Sequence, residues 1–234
     1  MKKLLLIALP LLTLQAQAQN NVVDVDKNTK PLDNREFYTN GGFPLSATKY
    51  IQVTGGTPYL SENWMKGTIV TPNGNAYNNL RLKVDLIDNS VIYLNPAGEE
   101  MVCVAPLSKI SLRDTITGKV YLLENTSSVS GYAGDKGWLE VLSGGNLTLY
   151  KHLSKSISES KAYGSSVTEQ RIRASEKYLV GIGGVVTRVK KIKEIADLVP
   201  AAKRQQLLDQ IAKEKWSDKK ESDYVKTVEY YNSL

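Results

Sequence analysis

Few side chains in this 234-residue chain are equipped for chemistry, and they are scattered. His152 is the single histidine and Cys103 the single cysteine. One of each cannot complete the nitrogen and sulfur shell of a structural zinc site within one chain. A serine–histidine–carboxylate triad would have to run through His152. No Gly-x-Ser-x-Gly elbow is present to lift a serine nucleophile, and His152 stands where a strand pattern gives way to a serine-rich stretch. It is expected as a surface histidine. Cys103 lies in the apolar run Met101-Val102-Cys103-Val104-Ala105, with no basic neighbour to lower its pKa. That predicts a small buried hydrophobe rather than a reactive thiol or an intermolecular bridge. With one cysteine, no intramolecular disulfide can form.

Glycoside hydrolysis needs only two carboxylates at a set separation. Glu99-Glu100 is the obvious pair, but it adjoins Pro96-Ala97-Gly98, which reads as a hairpin turn. Adjacent strand residues point to opposite faces, so these two are expected as solvated turn charges. Asp24-Val25-Asp26 lacks the glycine and the terminal acid of a calcium loop. Gly181-Ile182-Gly183-Gly184 lacks both the GxGxxG spacing and the trailing GK[ST] of phosphate loops, and reads as a glycine-rich turn. No catalytic, metal-binding or cofactor-binding residue is assigned, and no cofactor is implied. What is left is aromatic. Tyr59, Trp64, Tyr132, Trp138 and Trp216 fall near turns or element ends. Rings there stack on sugars or fill a partner's pocket, although more often they close the end of a sheet core. The first four are the binding candidates.

The elements that must position these residues are mostly strands. Leu80-Arg81-Leu82-Lys83-Val84-Asp85-Leu86 alternates apolar and charged residues, the pattern of a half-buried strand. Similar runs recur near 65–70, 91–94, 101–104, 109–112, 120–123, 138–142 and 147–150. Between them stand turn signals such as Asn73-Gly74, Asp88-Asn89, Thr117-Gly118 and Gly144-Gly145. Short strands with short turns predict an antiparallel meander, as a curled sheet, a half-barrel or a sandwich. Residues 151–177 carry many serines, with six basic residues against three acidic. They read as a long surface loop. Tyr178-Leu179-Val180 and Val185-Val186 make a last hairpin. From Lys190 onward the chain reads as helical. Ile192, Ile195, Ala196 and Val199 share one stripe, and Leu207, Leu208, Ile211 and Ala212 another. Pro200 is expected at the first position of the second helix, and Ser217 as the N-cap of a third carrying Tyr224, Val228 and Tyr231.

The N-terminus reads as an export signal. Lys2 and Lys3 precede an apolar run from Leu4 to Leu14, and Ala16 and Ala18 form a small-x-small cleavage site. The run is about 11 residues long, too short for a bilayer core that needs roughly 20. No later stretch is apolar enough to cross a membrane, and no cysteine follows the signal to carry a lipid. Residues 19–48 are polar and aperiodic, and read as a flexible or loosely docked arm pinned by Phe37, Tyr38 and Phe43. Without the signal, 28 basic residues stand against 24 acidic ones. This mild excess suits an anionic envelope component or another envelope protein. It is too small for a nucleic-acid footprint.

Two segments also carry a resemblance. One runs from Gly56-Thr57-Pro58-Tyr59-Leu60 through Trp64-Met65-Lys66-Gly67-Thr68-Ile69-Val70 to Asn73-Gly74 and the strand from Leu80 to Asp85. The other runs from Tyr178-Leu179 through Lys190-Lys191-Ile192-Lys193 to Tyr230-Tyr231-Asn232-Ser233-Leu234. Together they resemble a broad family of uncharacterised exported Bacteroidota proteins with a signal peptide, a β-rich body and a helical tail ending near Tyr-Tyr-Asn. The resemblance covers most of residues 50–234 and implies compartment and architecture, with no catalytic residue to carry over. The expected organisation is α+β: a signal peptide over 1–18, an arm over 19–48, an antiparallel β-rich body over 49–189 and a helical tail over 190–234. The expected role is a non-enzymatic exported binding or structural module of the cell envelope. A carboxylate-dependent glycan hydrolase and a small outer-membrane-associated protein are the alternatives.

Overall fold

A computed structural model describes residues 30–46, 50, 53–161, 163 and 169–234. The expected signal over 1–18, with Ala16 and Ala18, lies outside the described residues, as do 19–29 of the arm and 164–168 of the serine-rich stretch.

The strands are β1 Lys30–Pro31, β2 Gly42–Pro44, β3 Val53–Gly55, β4 Met65–Val70, β5 Asn75–Asp85, β6 Ser90–Leu94 and β7 Glu100–Cys103. They continue as β8 Lys109–Arg113, β9 Val120–Asn125, β10 Trp138–Ser143, β11 Leu147–Ser160, β12 Glu169–Ile182 and β13 Val185–Val189. The helices are α1 Asn34–Asn40, α2 Ile192–Leu198, α3 Ala201–Glu214 and α4 Glu221–Ser233. All 13 strands share one sheet, in the order β13-β12-β11-β10-β9-β8-β4-β5-β6-β7-β2, with β1 beside β5 and β3 beside β12. Every pairing is antiparallel except those of β1 and β3. The chain is therefore α+β, a long antiparallel meander followed by C-terminal helices, and its sheet is one continuous open surface.

Local chemistry explains the strand ends. In β5, Leu80, Leu82 and Val84 are fully buried while Arg81 is exposed, as alternation requires. Ile182 pairs with Val185, so Gly183-Gly184 makes a two-residue turn, and both glycines have positive φ, +57° and +78°. That is the geometry that matches strand twist, and it suits residues without a Cβ.

Of the loop expected over 151–177, residues 151–160 and 169–177 are strand. Strands β11 and β12 pair without a break from Leu147↔Ile182 to Ser160↔Glu169, a hairpin of 14 residues on each side. One face of its outer half carries Ser154, Ser156, Ser158, Arg171 and Arg173. The other carries the facing pair Ile157 and Ile172. The alternation is present but nearly silent, because both faces are largely hydrophilic and only that pair marks the apolar side.

Part of the arm is also ordered. Asp33 Oδ1 accepts from the N–H of Arg35 at 2.9 Å and starts the seven-residue α1. Phe37 is buried there, its ring 4.7 Å from that of Tyr93 and 5.0 Å from that of Tyr77. Tyr38 packs beside it, whereas Phe43 is exposed and pins nothing.

The tail packs on β11–β13 through Ile192, Ile195, Leu207, Ile211, Tyr224, Val228 and Tyr231. Pro200 caps α3 from the position before its first residue. Ser217 does not cap the last helix, which begins four residues later at Glu221. Its oxygen accepts from Lys219 N, and the neighbouring Asp218 accepts from Ile192 N at 2.6 Å, satisfying the start of α2. Beneath α4, Lys151 bridges Glu140 at 2.9 Å and Glu221 at 2.7 Å.

Candidate ligand-binding site

The structure sorts the aromatic candidates. Tyr59 and Trp64 come together, half-buried, around the Lys83 ammonium, 5.0 Å and 4.9 Å from the two ring centres. Both ring faces are thereby turned inward on a strand lysine, a clamp worth about 0.5–1 kcal/mol. Trp138 is buried, and its indole N–H donates to the Asn89 carbonyl at 3.1 Å. Trp216 lies edge-on to Tyr230. Tyr132 stands at a cleft.

That cleft is built by the connection from β9 to β10. Asn125 Oδ1 accepts from Ser127 N at 3.0 Å and caps a short 3-10 turn over Thr126–Ser128. Thr126 and Gly137 close the neck: Thr126 N donates to the Gly137 carbonyl, and Gly137 N donates to Thr126 Oγ1, each at 3.0 Å. The closed loop lies over β10 and β11. It meets the β5–β6 turn, where Asn89 takes positive φ. Between them is a cavity of about 540 Å³ lined by Asp88, Asn89, Asn125, Ser127, Tyr132 and Lys136, among others.

Behind the Gly137 wall of this cavity is His152, which the sequence placed at the surface. His152 is 1% exposed, not a surface residue. Its cross-strand neighbours are Leu139 and Lys177, on the sheet face opposite the helices. The Tyr132 ring lies 6.4 Å away. Nε2 faces the bare α-carbon of Gly137: a Cβ there would stand 3.3 Å from Nε2 and 2.7 Å from Asn89 Oδ1. Among the described residues neither imidazole nitrogen has a hydrogen-bond partner. Burial pushes the His152 pKa down, and the Lys177 charge lowers it further against a smaller pull from Asp135. The ring is therefore neutral near pH 7, with one donor and one acceptor to satisfy. Leaving such a buried group unpaired costs about 1–3 kcal/mol. Asp135 and Lys177 form an ion pair of 2.7 Å nearby, and the hydrogen bond from Lys177 holds the Asp135 carboxyl below its ordinary range. Tyr132 donates to the Asp135 carbonyl at 3.0 Å.

The tight fit around Gly137 gives a direct prediction. Its φ is +144°, and a methyl group would press on Asn89 Oδ1. Gly137→Ala is expected to destabilise the fold by about 1–3 kcal/mol. Chemical denaturation measures this, and a loss below about 0.5 kcal/mol would show that the wall is pliable.

A second, smaller cavity of about 310 Å³ lies beside the same loop, between Ser128–Ser130 and the β12–β13 turn. On its wall, burial and the charge and hydrogen bond of Glu124 push the Tyr150 phenol up to about 12. Glu124 in turn pairs with Lys109 at 3.3 Å. Glu99 and Glu100 are exposed at their turn, where Glu99 accepts from Asn95 Nδ2. Cys103 is half-buried rather than fully buried; burial pushes its thiol up to about 11. Among the described residues no three His, Cys, Asp or Glu side chains are grouped to hold a metal ion.

The signal that could have found the site was the continuation of β11. Leu147 and Leu149 mark one face, which places Thr148, Tyr150 and His152 together on the other. Comparison of the chain with protein-family models, curated proteins and solved structures finds no match to any of them.

Proposed function

We propose that this is an exported, non-enzymatic binding module of the cell envelope, and that it binds its ligand in the cleft over His152. The observation that carries the reading is a buried neutral imidazole, both of its nitrogens without a protein partner, facing the glycine wall of a cavity. Unpaired buried polar groups are rare and call for a functional account. Asp88 is the one carboxylate among the described lining residues, which favours binding over hydrolysis by paired carboxylates. The charged start, short apolar run and Ala16-x-Ala18 site support export.

Cell fractionation tests the compartment: the chain is expected in the envelope or the medium, shortened after Ala18. A full-length cytoplasmic product would overturn export. For the site, thermal shift with deproteinised envelope extract is expected to raise the Tm of the native chain and to leave that of His152→Phe unmoved. Equal shifts in both would place binding elsewhere.

The buried imidazole also sets a pH dependence. Its folded pKa lies below the unfolded value of about 6.5, so as pH falls the unfolded chain takes up the proton first. The contribution is present above the unfolded value and is lost as pH drops through it. Stability of the native chain is expected to fall on acidification below about 6.5, more steeply than that of His152→Gln. Urea midpoints across that range check this; parallel curves would contradict it.

A further inference from the structure

We infer that the ligand of the His152 cleft is a neutral, hydroxyl-rich molecule, that is, a saccharide. This rests on the cleft being the binding site. The argument is one of complementarity. Asp88 and Lys136 line the cleft with opposite charges, and Asp135 and Lys177 beside it are paired with each other. The formal charges of the described lining residues cancel, in contrast to the mild basic excess of the chain as a whole.

The lining offers acceptors beside the donors of Lys136 and the asparagine amides. Asn89 Oδ1 faces the Gly137 wall. The Tyr132 phenol has committed its proton to the Asp135 carbonyl, so its oxygen is left to accept. Ser127 has likewise committed its proton, to Asn125 Oδ1 at 2.7 Å. A phosphate or a carboxylate ligand brings acceptors of its own and leaves these groups unanswered. Hydroxyl groups can donate to them, and can also accept from Lys136. A hydrocarbon ligand fits no better. Tyr132 is the one ring among the described lining residues, and no Leu, Ile, Val, Phe or Met accompanies it. Burying so polar a lining under an apolar ligand would strand its hydrogen bonds. One aromatic face among hydroxyls and amides is suited to a sugar ring, apolar on its C–H face and polar at its rim. The cavity volume, about 540 Å³, lies inside the range of small-molecule sites, about 300–1,000 Å³.

Backbone NMR of the full native protein tests this. The probes are a deproteinised glycan fraction of the envelope, the same fraction after periodate has cleaved its vicinal diols, inorganic phosphate and octanol. The intact glycan fraction is expected to move the amide resonances of residues 125–137 and Asn89, and periodate is expected to abolish the effect. Tyr132→Ala is expected to weaken the response at least about tenfold, while Tyr150→Phe in the neighbouring cavity leaves it unchanged. Movement of the same resonances by inorganic phosphate or octanol, with none from the glycans, would overturn the saccharide assignment and leave the cleft as the binding site. No movement of these resonances with any of the four would overturn both.

Discussion

Replacing Lys151 with Met is expected to cost about 3–5 kcal/mol of folding stability, the usual penalty for leaving a buried charge without its partner. The Lys151 side chain is 7% exposed and that of Glu140 4% exposed. Burial alone would depress the Lys151 pKa, but hydrogen bonds and charge from Glu221 and Glu140 outweigh it and hold the pKa above its ordinary value. Without the ammonium, Glu140 keeps only Lys119 at 3.6 Å. Glu221 is less affected, since its side chain is 38% exposed and water can reach it. The cluster also ties the helical tail to the sheet. Glu221 is the first residue of α4 and accepts from the Tyr178 hydroxyl at 3.3 Å, and the Tyr178 ring stacks on Tyr224 at 4.4 Å. Urea unfolding measures the loss as a shift in midpoint at constant slope. The double substitution Lys151→Met with Glu140→Leu is expected to recover most of it, because neither charge is then stranded. A single-mutant loss below about 1 kcal/mol would show that the cluster is solvated.

Phe37→Ala is expected to cost about 3–5 kcal/mol, the range for removing a buried aromatic ring. The residue belongs to a seven-residue helix in a polar segment, where little loss would be predicted from sequence. Its ring, however, is 3% exposed and sits among Tyr77, Tyr93 and Tyr38, part of the cluster beneath β4–β6. The same denaturation experiment decides between a docked plug and a loose arm. A change within about 0.5 kcal/mol would restore the loose arm.

These residues show where the fold was legible. The strand from Leu80 to Asp85 and the stripe Tyr224, Val228, Tyr231 could be read because one face of each is apolar and the other is not. The hairpin of β11 and β12 escaped because serines and arginines line one face while Lys155, Glu159 and Gln170 flank Ile157 and Ile172 on the other, so period two carries almost no hydropathy signal. Helix α1 escaped because seven residues are too few to show a helical period. His152 was misplaced for a related reason. Its burial is set by the loop from Asn125 to Gly137 folding over β11, and that contact spans the sequence without local trace. Asn89 looked like a turn residue and is one. Its second role, facing the wall in front of His152, depends on a neighbour about fifty residues away. Patterning gave architecture, whereas the candidate site is made entirely by tertiary contact.

His152 is the only histidine, so its imidazole Cε1–H resonance is unambiguous in the native protein. Burial and the Lys177 charge predict a titration midpoint below the ordinary value of 6.5, and a ligand in the cleft predicts that the resonance moves when deproteinised envelope extract is added. A midpoint at or above 6.5, with a resonance indifferent to that extract, would contradict a buried imidazole facing a binding cleft.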